Sequence, residues 1–133
     1  MKTRVLLSAF ISCFFLAIAT TSAQIPISTI PEPLGIAMEN WQYPYPVQFL
    51  SLNIQGQDVR MAYMDVKPTS SPNGRTVVLL HGKNFFGAYW EQTIRLLASN
   101  GFRVVVPDQI GFGKSSKPDI HCSFHLLARN TRV

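Results

Sequence analysis

The sequence predicts an α/β fold, and three observations carry that prediction. Val77, Val78, Leu79 and Leu80 form one continuous apolar run, and Val104, Val105 and Val106 form a second. Runs of this kind mark parallel strands covered on both faces. Between them Trp90, Ile94, Leu97 and Ala98 fall at i, i+4, i+7 and i+8, which is one face of a helix. Strand, helix and strand make a βαβ unit. Its two following loops lie at the carboxyl ends of the strands, where open α/β sheets place their chemistry.

In chain order, residues 1–23 read as an export signal. Lys2 and Arg4 give a short positive region, an apolar stretch follows from Val5 to Ala19, and Thr21-Ser22-Ala23 supplies small residues for cleavage. The apolar stretch is shorter than the ~20 residues that span a bilayer, so no stable membrane span is expected after cleavage before Gln24. The expected location is periplasmic or secreted. Cleavage leaves 110 residues and a net charge of +3. The basic residues (Arg60, Arg75, Arg95, Arg103, Lys114, Lys117) are scattered, which argues against a nucleic-acid partner. Only Cys122 survives cleavage, so no internal disulfide is possible.

Residues 24–46 carry five prolines together with Trp41, Tyr43 and Tyr45, and read as an extended arm pinned to the domain by its aromatics. Residues 47–133 form the domain proper. Residues 47–54 and 59–66 read as a hairpin turning over Gln55-Gly56-Gln57-Asp58. Lys67 to Gly74 is a loop by composition, closing on an Asn-Gly turn signal. Asn100-Gly101 ends the central helix with residues that tolerate the left-handed region. Ser123 is placed to cap a last helix whose Phe124, Leu127 and Ala128 share a face.

Several apparent motifs do not hold. Gly113-Lys114-Ser115 resembles the end of a phosphate-binding loop, but Asp108 stands where that loop needs its first glycine. The dinucleotide pattern fails because Ser116 replaces its third glycine. His121, Cys122 and His125 lack the carboxylate of a zinc-protease helix, and no metal or cofactor is expected. His81 alone reads as a hydrogen-bonded structural residue.

What remains is His81-Gly82-Lys83-Asn84-Phe85 and Asp108-x-x-Gly111-x-Gly113-x-Ser115, each directly after a buried strand. With these spacings the chain resembles the N-terminal part of an α/β-hydrolase. The likeness extends from Tyr43-Pro-Tyr-Pro-Val47 to Ser123-Phe-x-x-Leu127-Ala128-x-Asn130. It implies cofactor-independent hydrolysis of a small-molecule ester, amide, epoxide or similar bond. It also implies that the backbone N–H of Lys83, with Asn84 next, donates to an oxyanion. Gly82 lets that backbone turn, while Asp108, Gly111 and Gly113 shape the neighbouring loop.

The family places its nucleophile in a G-x-S-x-G elbow or an aspartate variant of it, with acid and histidine later in the chain, and the resemblance leaves serine against aspartate open. No serine here has that context, so the chain is expected to be an inactive fragment of a longer hydrolase. The alternative is a secreted, non-catalytic module that pairs with a partner or a separate C-terminal half. The resemblance implies strand order 1-2-4-3-5, which without a fifth strand leaves the run Val77–Leu80 at an open edge and predicts self-association.

Overall fold

The structure, a computed structural model, describes residues 33–132. The expected signal segment and the first part of the arm lie outside the described residues.

Strands β1 (Val47–Ile54) and β2 (Gln57–Val66) form the expected antiparallel hairpin, with Leu50 opposite Met61 and Ile54 opposite Gln57. The turn is tighter than the four residues the composition suggested. Gln55 (φ 51°) and Gly56 (φ 79°) make it alone, and Gln57 and Asp58 already pair as strand. Two successive positive φ values fit the type I′ turn, whose twist matches that of the flanking strands.

Strand β4 (Arg103–Pro107) runs antiparallel beside β2, and β3 (Thr76–Val78) runs parallel on its other side. The order is β1-β2-β4-β3, which matches the first four strands of the implied 1-2-4-3-5 arrangement. A 3₁₀ turn (Gly87–Trp90) leads into α1 (Glu91–Ser99), which buries Ile94 and Ala98 against Met64, Val66, Val104 and Val106. Helix α1 ends in a Schellman motif. Phe102 N–H donates to Leu97 O at 3.2 Å and Gly101 N–H donates to Ala98 O at 3.2 Å. Gly101 sits at φ 85°, and a Cβ there would meet Ser71 O at 2.5 Å, so only glycine fits.

The strand expected to be covered on both faces is not. Regular pairing of β3 stops at Val78, although Leu79 N–H still donates to Val105 O at 3.0 Å. Val78 and Leu80 are 49% and 48% exposed. The cause is alternation. Leu79 faces α1 and the main core, whereas Val78 and Leu80 point to the other face. There α2 (Phe124–Thr131) covers only the hairpin end, where Leu126 packs against Ile54, Val59, Met61 and Ile110. A cavity of about 330 Å³ stays open beside it, floored by Met61, Val78, Val105 and Pro107.

Ser123 caps α2 as expected, its Oγ accepting from Leu126 N–H at 3.2 Å. The buried face differs from the expected one. Phe124 is 90% exposed and Ala128 is exposed, while Leu126, Leu127 and Asn130 turn inward. Positions i, i+1 and i+4 form the inward arc, two leucines and the buried Asn130, so a first-turn phenylalanine outside it faces solvent.

Candidate active-site loops

Two loops leave the carboxyl ends of β3 and β4, and His81 ties them together. Gln109 N–H donates to its Nε2 at 2.9 Å, so that nitrogen carries the lone pair. Nδ1 therefore holds the proton and donates it to Gly82 O at 2.9 Å. The ring also meets Phe112 edge-on, with centroids 5.4 Å apart.

Residues 82–85 form a turn closed by Phe85 N–H donating to Gly82 O at 3.1 Å. Asn84 occupies its third position at φ 66°. A type II turn demands positive φ there, and asparagine tolerates it better than most side chains. Among the described residues no hydrogen bond takes the backbone N–H of Lys83 or Asn84. Two unclaimed donors at the end of a strand can hold an anionic oxygen.

Asp108 organises the second loop. It is 1% exposed, and each carboxylate oxygen is occupied. Oδ1 accepts from Gly87 N–H at 2.6 Å, while Oδ2 accepts from Lys114 N–H at 2.8 Å and from the Tyr43 hydroxyl at 2.5 Å. Its backbone N–H donates to Ala62 O at 2.8 Å, and its carbonyl accepts from Ser115 Oγ at 2.6 Å. Ser115 Oγ in turn accepts from Ala62 N–H at 2.8 Å. Gly113, at φ 49°, lies against the carboxylate so closely that a Cβ would overlap it. Gly111 (φ 94°) donates its N–H to Ser116 O at 2.8 Å. These bonds account for the spacing Asp108-x-x-Gly111-x-Gly113-x-Ser115.

Burial, then the hydrogen bond and charge of Asp108, hold the Tyr43 phenol far above its ordinary range. Burial lowers the Lys117 ammonium, whose Nζ donates to Gly113 O at 2.7 Å and Ser115 O at 3.1 Å. Sequence reasoning did not find Tyr43, Gly87 or Gln109. Tyr43 reads locally as one aromatic of the arm, and nothing near it in sequence announces an acceptor 65 residues away. Gln109 Nε2 donates to Thr131 Oγ1 at 2.9 Å and ties the β4 loop to α2. His121, Cys122 and His125 are exposed, and no group of three metal-ligating side chains forms among the described residues. Among those residues no helix is long and apolar enough to cross a membrane.

Among the described residues, the strand order, the parallel crossover through α1 and the two loops at the strand ends match the N-terminal part of an α/β-hydrolase sheet. The family model described as alpha/beta hydrolase fold matches residues 75–127, so this stretch of the chain is similar to that family. It is 36% identical over 77 residues to a haloalkane dehalogenase of Mycobacterium marinum, a match covering 57% of this chain and 25% of that one. A cis-3-alkyl-4-alkyloxetan-2-one decarboxylase of Xanthomonas campestris is 41% identical over 61 residues, covering 46% of this chain and 19% of the relative. The crystal structure of a probable hydrolytic enzyme from Pseudomonas aeruginosa PAO1 is 50% identical and superposes with a TM-score of 0.71, covering 74% of this chain and 31% of that structure. The chain thus spans about a quarter of the curated relatives' length and about a third of that structure.

Proposed function

We propose that this chain supplies the oxyanion-binding part of a hydrolase site, with the Lys83 N–H as donor and Asn84 N–H beside it. The observation that carries the reading is the turn at 82–85, placed at the end of β3 with both N–H groups unclaimed. A preorganised donor of this kind contributes about 3–4 kcal/mol to transition-state stabilisation. The reaction class is cofactor-independent attack on a small organic molecule, in keeping with relatives named for dehalogenation, decarboxylation and hydrolysis. No serine of this sequence stands in a G-x-S-x-G elbow, so the chain by itself is inactive in this reading. Export through residues 1–23 and self-association through the uncovered β3 edge complete the proposal. The first is checked by the amino terminus of the exported protein. The second is checked by sedimentation of the chain against Val78→Lys.

The oxyanion reading is tested in a chimera in which this domain replaces the matching third of the Pseudomonas aeruginosa protein. Lys83→Pro removes the N–H while suiting the second position of a type II turn. We expect kcat for p-nitrophenyl ester hydrolysis to fall roughly 10²–10³-fold in Lys83→Pro. Lys83→Ala, which keeps the N–H, should stay near the parent. Undiminished kcat in Lys83→Pro would remove Lys83 from the oxyanion hole.

A further inference from the structure

The five residues 82–86 run between two hydrogen bonds that end on one dipeptide. On the amino side His81 Nε2 accepts from Gln109 N–H, and on the carboxyl side Gly87 N–H donates to Asp108 Oδ1. The turn is therefore held at both ends by Asp108-Gln109, the first residues after β4. Everything that fixes the Asp108 carboxylate also fixes the carboxyl side of the turn.

We propose that Tyr43, carried on the proline-rich arm, is a positioning residue that sets the 82–85 turn through Asp108. Its hydroxyl donates to Oδ2, the oxygen that also receives Lys114 N–H, and so orients the carboxylate whose other oxygen takes Gly87 N–H. The ring makes a second contact with the same loop, lying 5.9 Å from the Phe86 ring at a 42° tilt. Trp41, also on the arm, meets Phe86 edge-on at 5.7 Å. Lys114 Nζ lies 5.2 Å above the Tyr43 ring and donates to Glu39 O at 3.3 Å, so the β4 loop holds the arm in return. A phenol kept protonated by burial is a permanent donor in this arrangement. The arm thus does more than cover the core: it closes a chain of contacts running from Tyr43 to Asp108 to Gly87 and the turn. This assignment rests on the oxyanion reading for its catalytic meaning, whereas the mechanical linkage stands without it.

The linkage is read on the full chain by amide hydrogen exchange of wild type and Tyr43→Phe, which removes the hydroxyl and keeps the ring. The Gly87, Lys114 and Phe85 amides should exchange faster in the variant by about tenfold more than the β2–β4 ladder does, the ladder rising only with the loss of global stability. A uniform rise across all amides would mean a merely stabilising hydroxyl. No change at Gly87 and Phe85 would mean that the arm does not reach the turn. Either result overturns the proposal. If Tyr43→Phe does not fold, exchange of the wild-type chain in rising sub-denaturing urea gives the same decision. Gly87 and Lys114 must open together, below the β2 ladder, and separate opening refutes the linkage.

In the chimera Tyr43→Phe should lower kcat by about tenfold with KM unchanged. A normal kcat in Lys83→Pro with faster exchange in Tyr43→Phe would sink the oxyanion reading and leave the linkage standing. The converse pair of results would do the reverse.

Discussion

Replacing Asp108 tests the centre of the site most directly. In Asp108→Ala the Gly87 and Lys114 N–H groups and the Tyr43 hydroxyl lose their acceptor at a position that is 1% exposed. A buried donor left unpaired costs about 1–3 kcal/mol, and bonds to a charged acceptor lie toward the upper end. Water reaching the vacated space would relieve part of this, so the loss should be about 3–5 kcal/mol. A domain of this size has roughly 5–15 kcal/mol in total, so the variant should be barely folded. Asp108→Asn keeps the shape but turns an amide NH₂ toward either Gly87 N–H or the Lys114 and Tyr43 donors, a donor facing a donor, at about 2 kcal/mol. Tyr43→Phe leaves both N–H bonds intact and should lose about 1–1.5 kcal/mol. Urea unfolding followed by circular dichroism ranks the three. With a slope of about 2 kcal/mol per molar urea, Asp108→Ala should move the midpoint down by about 2 M, Asp108→Asn by about 1 M and Tyr43→Phe by about half that. A shift under about 0.3 M for Asp108→Ala, or an inverted order, would refute the view of this carboxylate as the hub.

Three further outcomes are expected. Arg103 grips Asp65 with Nε at 2.8 Å and Nη2 at 2.7 Å, and these bonds hold the carboxyl below its usual range. The stabilisation is therefore present above the unfolded-state value near ~3.9 and lost as pH falls through the lower native one. In an acid titration followed by circular dichroism, Arg103→Gln should unfold at higher pH than wild type. At the alkaline end the sign reverses. The raised Tyr43 phenol keeps its contribution below its unfolded-state value of about 10 and loses it as pH climbs above. Absorbance at the phenolate band should show one tyrosine titrating with alkaline unfolding and missing from Tyr43→Phe. In the core, Ile94→Ala empties a fully buried site on α1 and should cost 2–5 kcal/mol. Leu96→Ala, 64% exposed on the opposite side, should stay within about 0.5 kcal/mol of wild type by the same urea titration.

Much of the fold is written locally. The hairpin, the strand-helix-strand unit, the glycine that ends α1 and the serine that starts α2 follow from periodicity and turn chemistry acting over a few residues. The two loop motifs were visible for the same reason, since glycines at positive φ and a loop aspartate leave a pattern in sequence. Local signals gave the wrong inward face for α2. Phe124 is apolar, but burial depends on which arc meets Ile54, Val59 and Met61, and that is set by packing. They also misjudged the cover of β3, because an apolar run records the tendency to be buried and not the presence of something to bury it. Convergence on Asp108 belongs wholly to the tertiary structure. Its partners Tyr43 and Gly87 lie 65 and 21 residues away, and His81 reaches Gln109 across 28. Hydrogen bonds act only within about 3 Å, and it is the sheet order β1-β2-β4-β3 that carries these distant residues to that distance.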